Sequence, residues 1–189
     1  MTLNRIFLRL KEQSCQNIFR NGGFATIWYM VGIVLFISLA SFIVSEGYKN
    51  IQQHKVKTAL NRAVKSASMQ YDTDELAKEA KIIIPEDEAE NVFKSYLTDN
   101  LKLNNDLKPE KDSIFENEFE IVNFQVIDDK DFPYTVKHDD VNFKHTFENP
   151  GVLAVVKTTV DDLWGTGETS YHVPAVSEVN FKISGESES

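Results

Sequence analysis

Residues Phe24 to Val44 form a run of 21 residues without a charged side chain, and no other feature constrains the fold of this chain as strongly. A helix of this length covers about 30 Å, which is the thickness of the hydrocarbon core of a bilayer. Helices buried in soluble proteins rarely stay uncharged for so long. Trp28 and Tyr29 lie near the start of the run, where an aromatic belt would sit. The run therefore predicts a transmembrane helix over residues 24–44, with the lipid bilayer as a partner.

The charges on either side of this run predict its orientation. Four basic residues and one acidic residue precede it, so residues 1–23 carry a net charge of +3. Residues 24–189 carry −12, which gives the total of −9. The positive-inside rule then places the basic leader in the cytoplasm. Basic residues between Lys49 and Lys65 weaken this asymmetry. We expect a single-pass protein of the cell membrane with a cytoplasmic N-terminus and an extracytoplasmic C-terminal domain.

A cleaved secretory signal is the alternative for the same segment. Ser38, Leu39 and Ala40 form a small-x-small triplet that suits a signal peptidase. However, 23 residues precede the apolar run, and the run continues beyond Ala40 to Val44. These two features favour a retained anchor over a signal peptide.

Composition and spacing argue against several functional classes. The net charge of −9 does not suit a nucleic-acid binder, which needs a basic face for phosphates. A single cysteine, Cys15, excludes an intramolecular disulfide framework and a cysteine-based zinc site. The four histidines lack metal-motif spacing, and no phosphate-binding loop or G-x-S-x-G motif occurs. The acidic turns lack the spacing of an EF-hand, so we interpret them as solvated. We therefore expect no catalysis, no cofactor and no bound metal.

The helical pattern continues beyond the apolar run. Over residues 45–71, apolar side chains recur every three or four positions and form one stripe. Gly47 is the weak point, so the alternatives are one helix from Phe24 to about Tyr71 or two helices with a break at Gly47. We expect the stripe to dock the external domain or to take part in assembly. Its members are Val56, Leu60, Val64 and Ala67.

Residues 72–184 have the pattern of an α+β domain, in which helices precede an antiparallel sheet. An N-cap cluster at Asp72 opens a short helix through Lys81, and Pro85 opens a second one over Glu86 to Leu101. The pattern then changes to strands, and Pro174 indicates an edge strand or a bulge. We expect residues 185–189 to be a disordered tail. The predicted strand segments are 118–127, a segment holding Val141, Phe143 and Phe147, a central strand over 152–160, and a last strand over 171–183.

The junction of Gly22, Gly23 and Phe24 resembles that of type IV pilin-like proteins. A basic leader ends in glycine, and an aromatic residue opens the apolar segment. In that family a prepilin peptidase cuts after a glycine, and the exposed helix packs into a filament. The sequence TALNRAVKSASMQYD at 58–72 is similar to the TadE-like branch, the minor pilins of tight-adherence pili. The resemblance covers residues 18–72 and implies cleavage after Gly23, an external α+β domain, and protein partners in a pilus or envelope complex that include further copies of the chain.

One position departs from the pilin pattern. Pilins usually carry a glutamate at the fifth position after the cut, and Trp28 stands there in this chain. A second hypothesis therefore remains open, in which the protein is a permanently anchored binding or scaffold subunit of a secretion, conjugation or other envelope machine. Removal of the leader distinguishes the two hypotheses, because a pilin loses it and a permanent anchor keeps it.

Overall fold

The computed structural model describes residues 3–79, 81–128, 130–161 and 168–180. The chain divides into two units, Met1–Glu46 and Gly47–Ser189. The first helix, α1 (Leu3–Ser68), begins in the first unit and ends in the second. Its backbone is helical at Gly47, so the predicted single helix is found and the alternative break is not. The helix ends at Ser68 rather than at Tyr71, where a turn closes with the Gln70 amide donating to the Ala67 carbonyl at 3.1 Å.

Two short helices follow, near the predicted positions. Helix α2 (Thr73–Glu79) is capped by Asp72, whose Oδ1 accepts hydrogen bonds from the amides of Asp74 and Glu75 at 2.8 and 3.2 Å. Helix α3 (Glu86–Leu101) has the predicted bounds. Its first turn carries three carboxylates, which the partial positive charge of a helix N-terminus stabilises. It ends at Lys102, which takes the left-handed conformation with φ of 57°.

The main sheet has three antiparallel strands, β1 (Phe119–Ile127), β4 (Gly151–Asp161) and β5 (Glu168–Glu178), in the order β1-β4-β5. The continuous apolar segment that the sequence places at the centre is indeed the central strand. Pro174 lies on the edge strand β5, opposite Val155, as its missing amide hydrogen requires. The last strand was predicted to extend to Ile183, but positions 181–189, together with the predicted tail, lie outside the described residues.

A separate two-stranded sheet holds β2 (Tyr134–His138) and β3 (Phe143–Phe147). The sequence pattern predicts no strand at β2. The predicted placement of Val141 in the strand with Phe143 is wrong, because Val141 lies in a 3-10 turn, η1 (Asp139–Val141). Asn142 closes this turn with φ of 47°, and its amide donates to the Asp139 carbonyl at 3.1 Å. The chain reverses there, so β3 begins one residue later.

The core of the second unit lies between the helices and one face of the main sheet. Its largest fully buried side chains on the helices are Leu60, Phe93 and Leu97, and they pack in one cluster with residues of β4 such as Val152 and Val156. A smaller cluster on the other side joins β3 to the sheet through Ile127, Phe147 and Leu153. The second unit is therefore α+β, as the order of patterns predicts.

Candidate functional site

The apolar segment of α1 exposes its large side chains. A window within Phe24–Ser68 is long and apolar enough to cross a membrane, and none of that window is buried within the structure. Phe36 is 72% exposed and Leu35 is 65% exposed. Contiguous exposed apolar surface of this kind marks a membrane or protein contact.

The predicted processing junction lies in helical backbone. Gly22, Gly23 and Phe24 all belong to α1. The Phe24 ring meets the edge of the Trp28 ring with centroids 6.1 Å apart, and both rings are exposed. The side chains before Phe24, that of Cys15 included, lie outside the described residues.

The stripe on the later part of α1 faces the core of its own domain. Its four members, Val56, Leu60, Val64 and Ala67, are all fully buried in the main cluster. Helices α1 and α3 and the sheet share this cluster, and Phe93 of α3 packs against Phe124 of β1 with ring centroids 5.0 Å apart. In this arrangement the stripe is a core surface of the second unit, and no part of it is open to a partner.

Polar contacts that the sequence pattern does not predict attach the later part of α1 to the rest of the second unit. Tyr48 Oη and Gln52 Nε2 both donate to the carbonyl of Ile114, at 3.2 and 3.0 Å. Farther along, Ser68 Oγ and Ser177 Oγ share a hydrogen bond of 2.9 Å between α1 and β5. Periodicity identifies apolar faces only, so it carries no signal for such long-range polar pairs.

Lys57 attaches α1 to the outer edge of the sheet. Its Nζ donates a short hydrogen bond to the carbonyl of Pro174 on β5. Burial lowers the pKa of this amine below its ordinary value of 10.5. Pro174 lacks an amide hydrogen and its carbonyl is occupied, so this part of the β5 edge is blocked to strand addition.

Glu178 connects three segments near the smaller cluster. Its Oε1 lies 3.0 Å from His145 Nε2, and its Oε2 accepts hydrogen bonds from the amides of Glu148 and Asn149 at 3.0 and 2.9 Å. Burial alone would raise the pKa of this carboxyl group. The hydrogen bonds from His145, Asn149 and Glu148 outweigh burial, so the pKa falls below its ordinary value of 4.5. The ionised form of Glu178 therefore stabilises the fold.

Two residues of the acidic turns have structural roles. Asp128 Oδ2 accepts a hydrogen bond from the amide of Ile84 at 2.8 Å, and Asp139 begins the η1 turn. Among the described residues, no group of three histidine, cysteine, aspartate or glutamate side chains is placed to hold a metal ion. Asp129 lies outside them.

Comparison of the chain with protein-family models, with curated proteins and with solved structures found no match.

Proposed function

We propose that this protein is a single-pass, membrane-anchored, TadE-like pseudopilin that joins a pilus as a minor subunit and carries its α+β domain outside the membrane. The observation that carries the proposal is the contrast between two parts of α1. Side chains of residues 24–44 are largely exposed and apolar, whereas the stripe from Val56 to Ala67 is buried in the folded domain.

Physical chemistry supports a membrane role for the exposed part. Large apolar side chains such as Phe36 and Leu35 gain roughly 1.5–3 kcal/mol each when they leave water. A bilayer accepts such a helix because every backbone hydrogen bond is made within it. A filament core of packed helices would satisfy the same side chains after extraction from lipid. The segment thus suits both stages of the life of a pilus subunit.

The buried part of α1 belongs to the core of the second unit, so its stripe holds that domain together and is not a surface for partners. The proposal therefore assigns contacts with other pilus proteins to the exposed surfaces of the chain.

A permanently anchored subunit of another envelope machine is the second candidate, and two observations favour it. Trp28 occupies the position where pilins carry a glutamate. Gly22 and Gly23 lie inside continuous helix, whereas a peptidase needs an unwound backbone. This candidate keeps the same topology and the same external domain, and differs in retaining the leader.

The N-terminal sequence of the protein purified from membranes of a host with a prepilin peptidase tests the proposal. A pseudopilin begins at Phe24 and is lighter by about 2.6 kDa, which is the share of 23 residues in a 189-residue, 21.6 kDa chain. Gly23→Val should block cleavage, because a side chain would obstruct the narrow site that reads this glycine.

Gly32→Val is the matched control for this variant. A Cβ at Gly32 meets no atom within 4 Å, so this change adds the same side chain to the helix away from the junction. It should be processed like the wild type. Recovery of wild-type protein that still begins at Met1 would reject the pseudopilin and leave the permanent anchor.

A further inference from the structure

The face of α1 that points away from the core carries only positive charge. Between Gly47 and Ser68 the helix has five lysine and arginine residues and no aspartate or glutamate. We define the basic face by three exposed members, Lys55, Arg62 and Lys65. Lys57 lies on the other flank of the helix, where its Nζ donates to the Pro174 carbonyl. Among the described residues none of the three pairs with a carboxylate, and Arg62 instead donates to Asn100 Oδ1 at 3.4 Å. Their charge is not neutralised within the domain.

A groove between α3 and β1 carries the opposite charge. Its volume is about 810 Å³, and five carboxylates and two lysines line it. Lys94 and Lys157 lie 2.6 and 3.4 Å from Glu90 and Glu120, and Lys108 lies 3.8 Å from Glu118, so the five carboxylates outnumber these three lysines by two. We call this surface the acidic groove, and its carboxylates are Glu86, Glu90, Asp106, Glu118 and Glu120.

The acidic groove lies against an edge strand of the main sheet. Residues 118–124 line it together with residues 157–159 of β4, and β1 has no further neighbouring strand in the sheet. Thr158, which is 2% exposed, lines the groove as well, and its buried hydroxyl has no partner among the described residues. The groove therefore offers its carboxylates to an incoming surface.

Helix α3 separates Arg62 of the basic face from Glu86 of the acidic groove. Glu86 begins α3 beside the acidic groove, while Asn100, near the other end of α3, meets Arg62 of the basic face. An interval of 14 residues spans about 21 Å of helix, so Glu86 cannot meet Arg62 of the same chain.

We propose that the basic face of one copy of this chain docks into the acidic groove of a second copy. This partner rests on the proposed function, because copies of one pilus subunit lie next to one another. The two surfaces differ, so the contact is heterologous and each copy keeps one surface of each kind free. Such contacts extend into a row or a helical filament rather than closing into a dimer.

Anionic lipid headgroups are a less suitable occupant of the basic face. Lys55 and Lys65 lie 11 and 21 residues beyond Val44, where the apolar run ends. Along a helix these intervals correspond to about 16 and 31 Å. The headgroup region adds only about 5–8 Å on each side of the hydrocarbon core. Both intervals exceed the depth of the headgroup region, so lipid headgroups are the less suitable occupant.

Exchange of charges between two tagged full-length copies, co-purified in mild detergent, tests this contact. Lys55→Glu with Lys65→Glu reverses the basic face, and Glu86→Lys with Glu120→Lys reverses the acidic groove. When both tagged copies carry the same double substitution, they should co-purify several-fold less than two wild-type copies. When one copy carries the reversed basic face and the other carries the reversed acidic groove, co-purification should recover, because the negative face of the first meets the positive groove of the second. Raising the salt from about 0.05 M to about 0.5 M should weaken the wild-type contact through screening.

The controls change the same charges elsewhere on the domain. Lys81→Glu with Lys111→Glu, and Glu110→Lys with Glu116→Lys, alter exposed residues outside both surfaces and should leave co-purification unchanged. Equal loss in the controls, absence of recovery in the mixture, or wild-type copies that do not associate would each overturn the proposed contact. Detergent makes the assay independent of membrane orientation and of leader cleavage. The proposed contact can therefore be refuted while the pseudopilin proposal stands, and the pseudopilin proposal can be refuted while the contact stands.

Discussion

Glu178, at the end of β5, lies 3.0 Å from His145 of β3, and this contact joins the two-stranded sheet to the three-stranded sheet. The two residues are 33 positions apart in the chain. The other oxygen of Glu178 accepts the amides of Glu148 and Asn149, which hold the turn before β4. One carboxylate thus fixes the relative position of three segments of the second unit.

This carboxylate should make stability depend on pH in the acidic range. The folded state lowers the pKa of Glu178 below 4.5, so its contribution is present above that value and is lost as pH falls through the folded pKa. Glu178→Gln should lower the free energy of unfolding at neutral pH. The difference in free energy of unfolding between wild type and variant should become smaller below about pH 4.5. Denaturant unfolding at several pH values measures this difference.

Glu148→Gln is the control for Glu178→Gln, since it removes the same charge from an exposed neighbour. It should leave the pH dependence close to that of the wild type. An equal effect of both variants would show that net charge, rather than the contact with His145, sets the acid sensitivity.

Gly151, the first residue of β4, should not tolerate a side chain. A Cβ there would overlap the Ser177 carbonyl oxygen and lie 3.0 and 3.1 Å from Glu178 Cα and Phe147 Cε1. Gly151→Ala should destabilise the second unit by about 1–3 kcal/mol, because backbone on both sides must move. Thermal unfolding of the full chain in detergent measures this loss.

Gly47→Ala provides the contrasting change for Gly151→Ala. Nothing lies within 4 Å of a Cβ at Gly47, and the residue is inside α1. Alanine there should stabilise the helix by up to about 1 kcal/mol. If Gly151→Ala unfolds at the same temperature as the wild type, the close contact between Gly151 and the Ser177 carbonyl oxygen is not present in the protein.

The sequence predicts the helical part of the fold more fully than the strands, and the reason is physical. Periodic apolar spacing is strong over long helices, so the bounds of α3 and the buried stripe of α1 both follow from local pattern. β2 has only five residues and one fully apolar side chain, Val136, so its pattern is too short to distinguish from a loop. Val141 was misplaced because alternation does not reveal the left-handed Asn142 that reverses the chain.

The polar contacts of the second unit are the part that sequence could not supply. Gln52 and Ile114 are 62 residues apart, and Lys57 and Pro174 are 117 apart. Only the packing of α1 on the domain brings such pairs together, and no local spacing encodes it. The basic residues of α1 can be read from the sequence, where they reduce the charge asymmetry across the apolar run. Their distance from the acidic groove depends on the fold and cannot be read from the sequence.

The buried stripe should make α1 indispensable to the domain. A chain that begins at Glu46 keeps Val56, Leu60, Val64 and Ala67, and it should be soluble and unfold cooperatively. A chain that begins at Asp72 loses these core side chains and should show no near-UV circular dichroism. A folded, cooperative chain from Asp72 would instead assign the stripe to contacts between molecules.

Tyr171 should titrate late in the folded protein. Burial raises the pKa of its hydroxyl to about 12, from an ordinary value of 10.0. The folded state therefore holds a proton that the unfolded state releases, so stability falls as pH rises from about 10 to about 12. Tyr171→Phe should remove this loss, as followed by unfolding across the alkaline range. Tyr96→Phe, which changes an exposed tyrosine, should retain it.

The membrane orientation can be tested with single cysteines in a Cys15→Ser background. Ser14→Cys lies in the basic leader, and Lys111→Cys lies on an exposed loop of the domain. Positive-inside orientation predicts that an impermeant thiol reagent on intact cells or protoplasts labels Lys111→Cys and spares Ser14→Cys. Permeabilised cells should label both, which controls for reactivity. Labelling of Ser14→Cys alone on intact cells would reverse the orientation, and labelling of neither would place the domain in the cytoplasm, where no external pilus subunit can function.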